Sequence, residues 1–295
     1  NGIDNLKGQF LEMAYSGNPE GTSSIDSEVA GAYLRLWGKD DMVNTTLFTQ
    51  VNDIQKENLS GYYTFPYGAT AVHRRNDWAA LIKGYSKYVW ASEIYVTANR
   101  YGRYPANGSV QLLNAKGEEG SGFKQEGWDW NRYPATTIVY LPLKELEPKV
   151  PLLMFRSNES FAGTTTLEDN GIFGMILNEG KGSNADGDER ETNVGFPGRL
   201  YAKKSVFSFG NKLICIGTDI SSIDEKNPTQ TNIFQTFLKD TKTPIYTSSE
   251  TIKKFPYETT LKQDEKSGSW LIDPYGNGYY MLSNTPVQIK NSHQN

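Results

Sequence analysis

Residues 72–104 read VHRRNDWAALIKGYSKYVWASEIYVTANRYGRY. The apolar and aromatic runs Trp78 to Tyr88 and Val89 to Ala98 have the composition of long strands, and the helical period does not return after them. Between His73 and Tyr104 the cations Arg74, Arg75, Lys83, Lys87, Arg100 and Arg103 stand against Asp77 and Glu93, a local +4 (six minus two) inside a chain of net charge −4. A local reversal of sign points to an anionic ligand. Aromatic rings run through the same stretch, and flat rings beside guanidinium groups suit a sugar chain that carries carboxylate or sulfate.

Outward from this stretch, strand patterns recur at Val110 to Leu113, Thr136 to Leu141, Leu152 to Arg156, Gly171 to Leu177, Leu200 to Phe209, Lys212 to Thr218, Asn232 to Phe237, Ser269 to Asp273 and Tyr279 to Leu282. Asn107-Gly108, Gly210-Asn211, Ser267-Gly268 and Gly276-Asn277-Gly278 supply turns. This order predicts a mainly β protein, a large antiparallel β-sandwich. Asn178 to Pro197 is polar and glycine-rich and reads as a surface loop. Asn184, Asp186 and Asp188 alternate within it as calcium ligands do, but the turn glycine and distal Glu of an EF-hand are not at their spacings, so no metal is expected. Upstream, Leu6, Phe10, Met13 and Ala14, then Val29, Tyr33 and Leu36, repeat at helical spacing, which predicts an α-helical segment over 1–57 and a β domain over 58–295.

A chain of 295 residues with 37% hydrophobic and 13% aromatic content buries one large core or two modest ones. No apolar run approaches the about 20 residues of a membrane-crossing helix, and no membrane partner is expected. Cationic charge confined to one stretch of an acidic chain argues against nucleic acid. Cys215, the single cysteine, sits in Leu213-Ile214-Cys215-Ile216 and reads as a small buried hydrophobe. Phosphate loops, Ser-His-Asp order, CxxC pairs and HExxH are absent from the sequence.

Several rarer words occur in one order: His73-Arg74, Val89-Trp90-Ala91-Ser92-Glu93-Ile94-Tyr95, Asn99-Arg100-Tyr101-Gly102-Arg103-Tyr104 and Glu126-Gly127-Trp128-Asp129-Trp130-Asn131-Arg132. Phe161-Ala162-Gly163-Thr164, Ala202-Lys203-Lys204-Ser205-Val206 and Trp270-Leu271-Ile272-Asp273 follow. Together they resemble the polysaccharide lyases of family 8, most closely their chondroitin sulfate ABC lyase branch. The resemblance implies a supersandwich of the galactose mutarotase type. It also implies that the helical segment is the end of an α/α toroid and that the sandwich is truncated at its C-terminal end. The implied activity is cleavage of chondroitin or dermatan sulfate, or hyaluronan, by β-elimination beside a uronic acid.

β-Elimination takes the proton at C5 of the uronate and expels the C4 glycosidic oxygen, so a base must lie within about 3 Å of that proton. Hydrogen-bonding or cationic groups must stabilise the charge that develops. In the family a Tyr, a His, an Arg and a Glu share this work, and Glu93 falls where that Glu lies, as a positioning carboxylate of the catalytic group. The His and Tyr belong to a stretch resembling His-Glu-Gly-Asn-Tyr-Pro-Gly-Tyr, which does not occur before Glu93. The expectation is that the chain is a piece of a longer enzyme and does not turn over substrate alone. Arg74, Asn99, Arg100, Arg103, Trp128, Asn131 and Arg132 are expected to bind substrate. Pro134-Ala135-Thr136-Thr137 departs from the family's Pro-Gly-Thr-Thr at Ala135. No cofactor is expected. The implied partners are a sulfated glycosaminoglycan and further domains of the parent chain, in a secreted or periplasmic setting. The alternatives are a non-catalytic sandwich module that docks anionic polysaccharide and a purely structural domain.

Overall fold

A computed structural model describes residues 60–75, 77–97, 99–114, 121–148, 151–183, 200–261, 268–282 and 285–294. The expected helices of 1–57 and the Asn184, Asp186 and Asp188 series lie outside them. The described residues form two compact units. One is drawn from the chain up to Glu118 and from Trp130–Phe234, the other from Glu119–Asp129 and Gln235–Asn295.

In the first unit the order is β1 (Gly61–Phe65), β2 (Thr70–Arg74), β3 (Trp78–Lys83), β4 (Glu93–Tyr95), β5 (Ser109–Asn114), β6 (Thr137–Val139), α1 (Leu143–Leu146) and β7 (Leu152–Ser157). Then follow β8 (Ala162–Leu167), β9 (Asn170–Ser183), β10 (Leu200–Phe209), β11 (Lys212–Ser222) and β12 (Thr229–Thr231). A four-stranded sheet runs β1-β2-β3-β5, a six-stranded one runs β11-β10-β9-β7-β4 with β8 also on β9, and β12 pairs β6. The second unit holds β13 (Ile245–Thr247), β14 (Thr251–Ile252), β15 (Tyr257–Leu261), β16 (Ser269–Ile272), β17 (Gly278–Met281) and β18 (Val287–Asn291). These form a β14-β13-β16-β17 sheet and a β15-β18 pair. The pairings are antiparallel, as expected of a mainly β chain.

Side chains alternate across a strand, so each sheet of the first unit turns one face inward. Ala71, Ala80 and Ile82 from the four-stranded sheet share a core with Ile94, Leu153, Phe155, Phe173, Met175 and Val206 from the six-stranded sheet. Gly84 marks the close approach, because a Cβ there would sit 2.6 Å from the Phe173 ring. β10 follows the alternation along its whole length, with Leu200, Ala202, Lys204, Val206 and Ser208 inward. Lys204 brings an amine inside, and its Nζ donates to the Asn107 carbonyl (3.1 Å), the Ala135 carbonyl and Thr137 Oγ1 (3.2 Å). Three acceptors hold the amine, and burial lowers its pKa from 10.5 to about 7.

Three further titratable groups are buried in the same unit. Arg103 Nη2 stands 3.6 Å from Glu179 Oε2, with the two side chains 1% and 3% exposed. Burial pushes the Glu179 carboxyl above its ordinary value, and the Arg103 charge opposes the shift. Lys83 donates to the Gly68 carbonyl at 2.6 Å, and burial lowers its pKa from 10.5 to about 7.

Four expectations need correction. Asn178 to Ser183, expected as loop, continues β9, because Ser157 and Glu179 pair across to β7 and the glycines 180 and 182 fit an extended backbone. Glu179 therefore faces inward from a segment that sequence polarity assigns to the surface. Asn232 to Phe237, expected as a strand, makes only single backbone bonds, such as Asn232 N–H to the Thr136 carbonyl. The unit boundary falls within it. Cys215 is exposed, not buried. It lies opposite the buried Val206 but on the outermost strand of its sheet. The run Trp78 to Tyr88 stops pairing at Lys83, where a turn built on Ser86 begins: Ser86 Oγ accepts from the amides of Tyr88 and Val89.

Breaking a buried ion pair on one side leaves an uncompensated charge, so Arg103→Met should cost about 3–5 kcal/mol in urea unfolding. Arg103→Met with Glu179→Leu should recover most of that loss; equal destabilisation by both would show that the pair is not the cause. Between pH about 7 and 10.5 the unfolded chain binds a proton at Lys83 that the folded chain does not, so stability rises with pH there and is lowest below 7. Lys83→Met should therefore stabilise most at pH 6, and its advantage should shrink towards pH 10. A gain that is constant with pH would contradict a neutral buried amine.

Candidate active site

β4 is three residues long and stands at the edge of the six-stranded sheet. Its register against β7 sets Glu93 opposite Met154, Ile94 opposite Leu153 and Tyr95 opposite Leu152. Ile94 and Leu153 are buried, and Tyr95, the next residue along β4, is exposed on the other face. The Ala91 amide extends the pairing by donating to the Phe155 carbonyl at 2.9 Å.

The turn at 99–103 folds back onto this strand. Ser92 Oγ donates to the Gly102 carbonyl across it. Asn99 has φ 51°, and its amide side chain fills the space above Gly102, where an added Cβ would lie 2.2 Å from Asn99 Oδ1. Any side chain at 102 would displace the Asn99 amide. Asn99 thus lies in the turn that Ser92 ties to the start of β4. Arg100 lies in the same turn, exposed, with Nη2 2.6 Å from Glu147 Oε1, the atom to which Tyr101 Oη also donates at 3.1 Å. The hydrogen bond from Arg100 holds the Glu147 carboxyl below its ordinary value. Exposed ion pairs contribute little to stability, so this one can exchange its carboxylate for a ligand anion.

The remaining expected residues scatter. Arg74 lies at the end of β2 in the four-stranded sheet, not in the sheet that carries Glu93. Arg103 is 1% exposed and faces Glu179, so the interior takes up its charge. Asn131 is buried, and its amide pairs twice with the Leu141 backbone, each bond 2.9 Å, in the manner of a strand partner. Arg132 is half-buried, donates Nε and Nη2 to Gln230 Oε1 (3.2 and 3.1 Å) and stacks on the Tyr140 ring. Trp128 belongs to the second unit, where it is buried against Phe123 with ring centroids 4.9 Å apart. Trp130 is half-buried in the first unit, between Tyr101 and Tyr133. Neither indole lies in a strand: Trp128 is in irregular chain and Trp130 in a turn.

His73 is sealed between Tyr62 and Trp78. Its Nε2 donates to the Gly210 carbonyl at 2.8 Å, and burial lowers its pKa below the usual imidazole value. Arg75 Nε donates to the same carbonyl, tying down the turn between β10 and β11. Neither residue joins the outward face of β4.

Sequence reasoning missed Glu147, the partner of Arg100, and Arg156 on β7, whose guanidinium carbon lies 3.7 Å from the centroid of the Trp90 ring. The available signal was alternation: Leu153, Phe155 and Ser157 are inward, which turns position 156 outward. Among the described residues no cluster of three His, Cys, Asp or Glu is arranged to hold a metal.

Near β4, therefore, lie the Trp90–Arg156 contact and, in the turn that Ser92 ties down through the Gly102 carbonyl, Asn99 and the exposed Arg100. Comparison with known proteins bears on what such an edge is. The chain is 37% identical over 274 residues to the chondroitin sulfate ABC endolyase of Proteus vulgaris, covering 92% of this chain and 25% of that protein. It is 31% identical over 294 residues to the chondroitin sulfate ABC exolyase of the same organism, covering 95% of this chain and 27% of that protein. The chain thus spans about a quarter of the length of the curated relatives it matches. Among solved structures, a Paenibacillus xanthan lyase superposes with a TM-score of 0.57 at 20% identity, over 79% of this chain and 21% of that one. A chondroitinase AC lyase superposes with a TM-score of 0.57 at 18% identity, over 89% and 36%. At those identities the structures speak for the fold alone. Residues 60–295 match the model of the super-sandwich domain of polysaccharide lyase family 8. The chain belongs to that family.

Proposed function

We propose that the chain is the β portion of a glycosaminoglycan lyase that cleaves chondroitin or dermatan sulfate by β-elimination beside a uronic acid. The observation that carries this reading is the 37% identity to a chondroitin sulfate ABC endolyase across 92% of the chain. The β4 edge supports it, since it presents an aromatic and cationic face of the kind an anionic polysaccharide requires.

In this reading Glu93 acts from a strand whose backbone is fixed by β7 on one side and by the 99–103 turn on the other. The family resemblance implies that this carboxylate orients the groups that move the proton rather than taking the proton itself. Asn99 and Arg100 lie in the turn beside it and bind the sugar, with Arg100 releasing Glu147 to meet a carboxylate or sulfate. Arg103, Asn131 and Trp128 support the fold and leave the substrate to their neighbours. The family resemblance implies a secreted or periplasmic setting, and we place the parent protein there.

Two measurements test this. In a parent protein carrying the domain, Glu93→Gln should lower kcat on chondroitin sulfate by at least about a hundredfold while KM stays within a few-fold. Unchanged turnover would remove Glu93 from the mechanism. The 295-residue chain alone should bind chondroitin sulfate without producing the ultraviolet absorbance of an unsaturated uronate. If the parent also binds without producing it, the domain is a docking module and not part of a lyase.

A further inference from the structure

We propose that Trp90 and Arg156 form a subsite that holds an oxyanion of the polysaccharide on the outward face of the β4–β7 edge, beside position 93. The inference rests on the lyase reading above and adds two residues to its site. Arg156 alternates with the buried Phe155 and Ser157, so it faces away from the core. Glu93 stands opposite Met154, which makes Arg156, two residues further along β7, its diagonal neighbour across the ladder. Diagonal positions lie about 7–8 Å apart, within the span of one sugar ring and its substituents.

The state of its charge sets Arg156 apart from the other arginines. Arg100 faces Glu147, Arg103 faces Glu179, Arg75 donates to three backbone carbonyls and Arg132 donates to Gln230. Arg156 has no carboxylate partner among the described residues, and its Nε is buried without a hydrogen bond. A half-buried cation left in this state costs desolvation that no internal partner offsets. What the structure supplies is the Trp90 indole, 3.7 Å from the guanidinium carbon. A guanidinium stacked on a ring keeps its in-plane N–H groups directed past the ring edge, the arrangement that receives a carboxylate or sulfate with two parallel hydrogen bonds. Either anion fits, because a uronate and a sulfated hexosamine alternate along the proposed substrate.

The test uses Arg156→Gln, Arg156→Lys and Trp90→Leu in the parent protein, assayed on chondroitin 4-sulfate and on chemically desulfated chondroitin. Arg156→Gln should raise KM by about 10- to 100-fold with kcat little changed, as expected for one charge-assisted contact. Arg156→Lys should recover part of the loss and Trp90→Leu should show a smaller one. A rise on both polymers identifies the uronate carboxylate as the bound group, and a rise on the sulfated polymer alone identifies the sulfate. KM unchanged on both polymers, with the thermal midpoint retained, overturns the subsite. So does a fall in kcat at constant KM, which would make Arg156 a support for Glu93. If Arg156→Gln fails to fold, Arg156→Lys carries the same comparison, since it keeps the charge but loses the planar fork. A wild-type parent that cleaves neither polymer sinks the lyase reading only. The subsite is then judged by whether Arg156→Gln weakens chondroitin sulfate binding to the chain, and equal binding overturns it.

Discussion

The burial of Ile94 is the constraint on which the candidate site depends. Its side chain is 0% exposed, and along a strand one inward residue turns both neighbours outward. A slip of one residue in the pairing of β4 with β7 would turn Ile94 out to water and Tyr95 inward. That exchange would give up the burial of an aliphatic side chain and bury a phenol in its place, so the hydrophobic term fixes the register. The pairing that carries the candidate site thus follows from core packing and is independent of any ligand.

The loop after β4 needs more than an apolar anchor, because residues 99–108 are rich in backbone polar groups. Buried polar side chains meet part of that need. Lys204 gathers the carbonyls of Asn107 and Ala135 with the Thr137 hydroxyl, and Arg103 joins the same loop to Glu179 on β9. The packing leaves no slack: Gly108 has φ +72°, and a Cβ there would lie 2.6 Å from Lys204 Cδ. The loop that borders the candidate site is therefore held from beneath by polar side chains that come from distant strands.

Much of the fold was legible in the sequence where alternation is strict. Leu200–Phe209 has the expected bounds because its inward and outward residues alternate throughout, and Gly210-Asn211 forms the turn that follows it. Polarity and position disagree elsewhere. Asn178 to Ser183 reads as loop because it is polar and glycine-rich, yet Glu179 is buried there by an arginine 76 positions earlier in the chain (179 minus 103). Local composition carries no sign of so distant a partner. The same limit applies to the cationic stretch. Its +4 charge suggested a ligand, but Lys83 is bound to a carbonyl, Arg75 to three, and Arg103 to a buried carboxylate. The motif words located the β4 edge but did not separate the arginines that face it from those that build it.

That separation follows from where each cation has its opposing charge. A guanidinium already neutralised inside the fold gains nothing by meeting a ligand, since it would have to break a desolvated contact to do so, and Arg103 is of that kind. Arg100 is intermediate, because its partner Glu147 is exposed and water screens the pair. Arg156 stands at the other end, half out of water with only an indole face for company. The energetic gain from an incoming oxyanion should therefore increase from Arg103 to Arg100 to Arg156, the reverse of their prominence in the sequence. Family words are built around residues that recur in the chain's order, whereas affinity for an anion depends on the charge that the fold leaves uncompensated. In this chain the two criteria meet on the same sheet edge but select different residues.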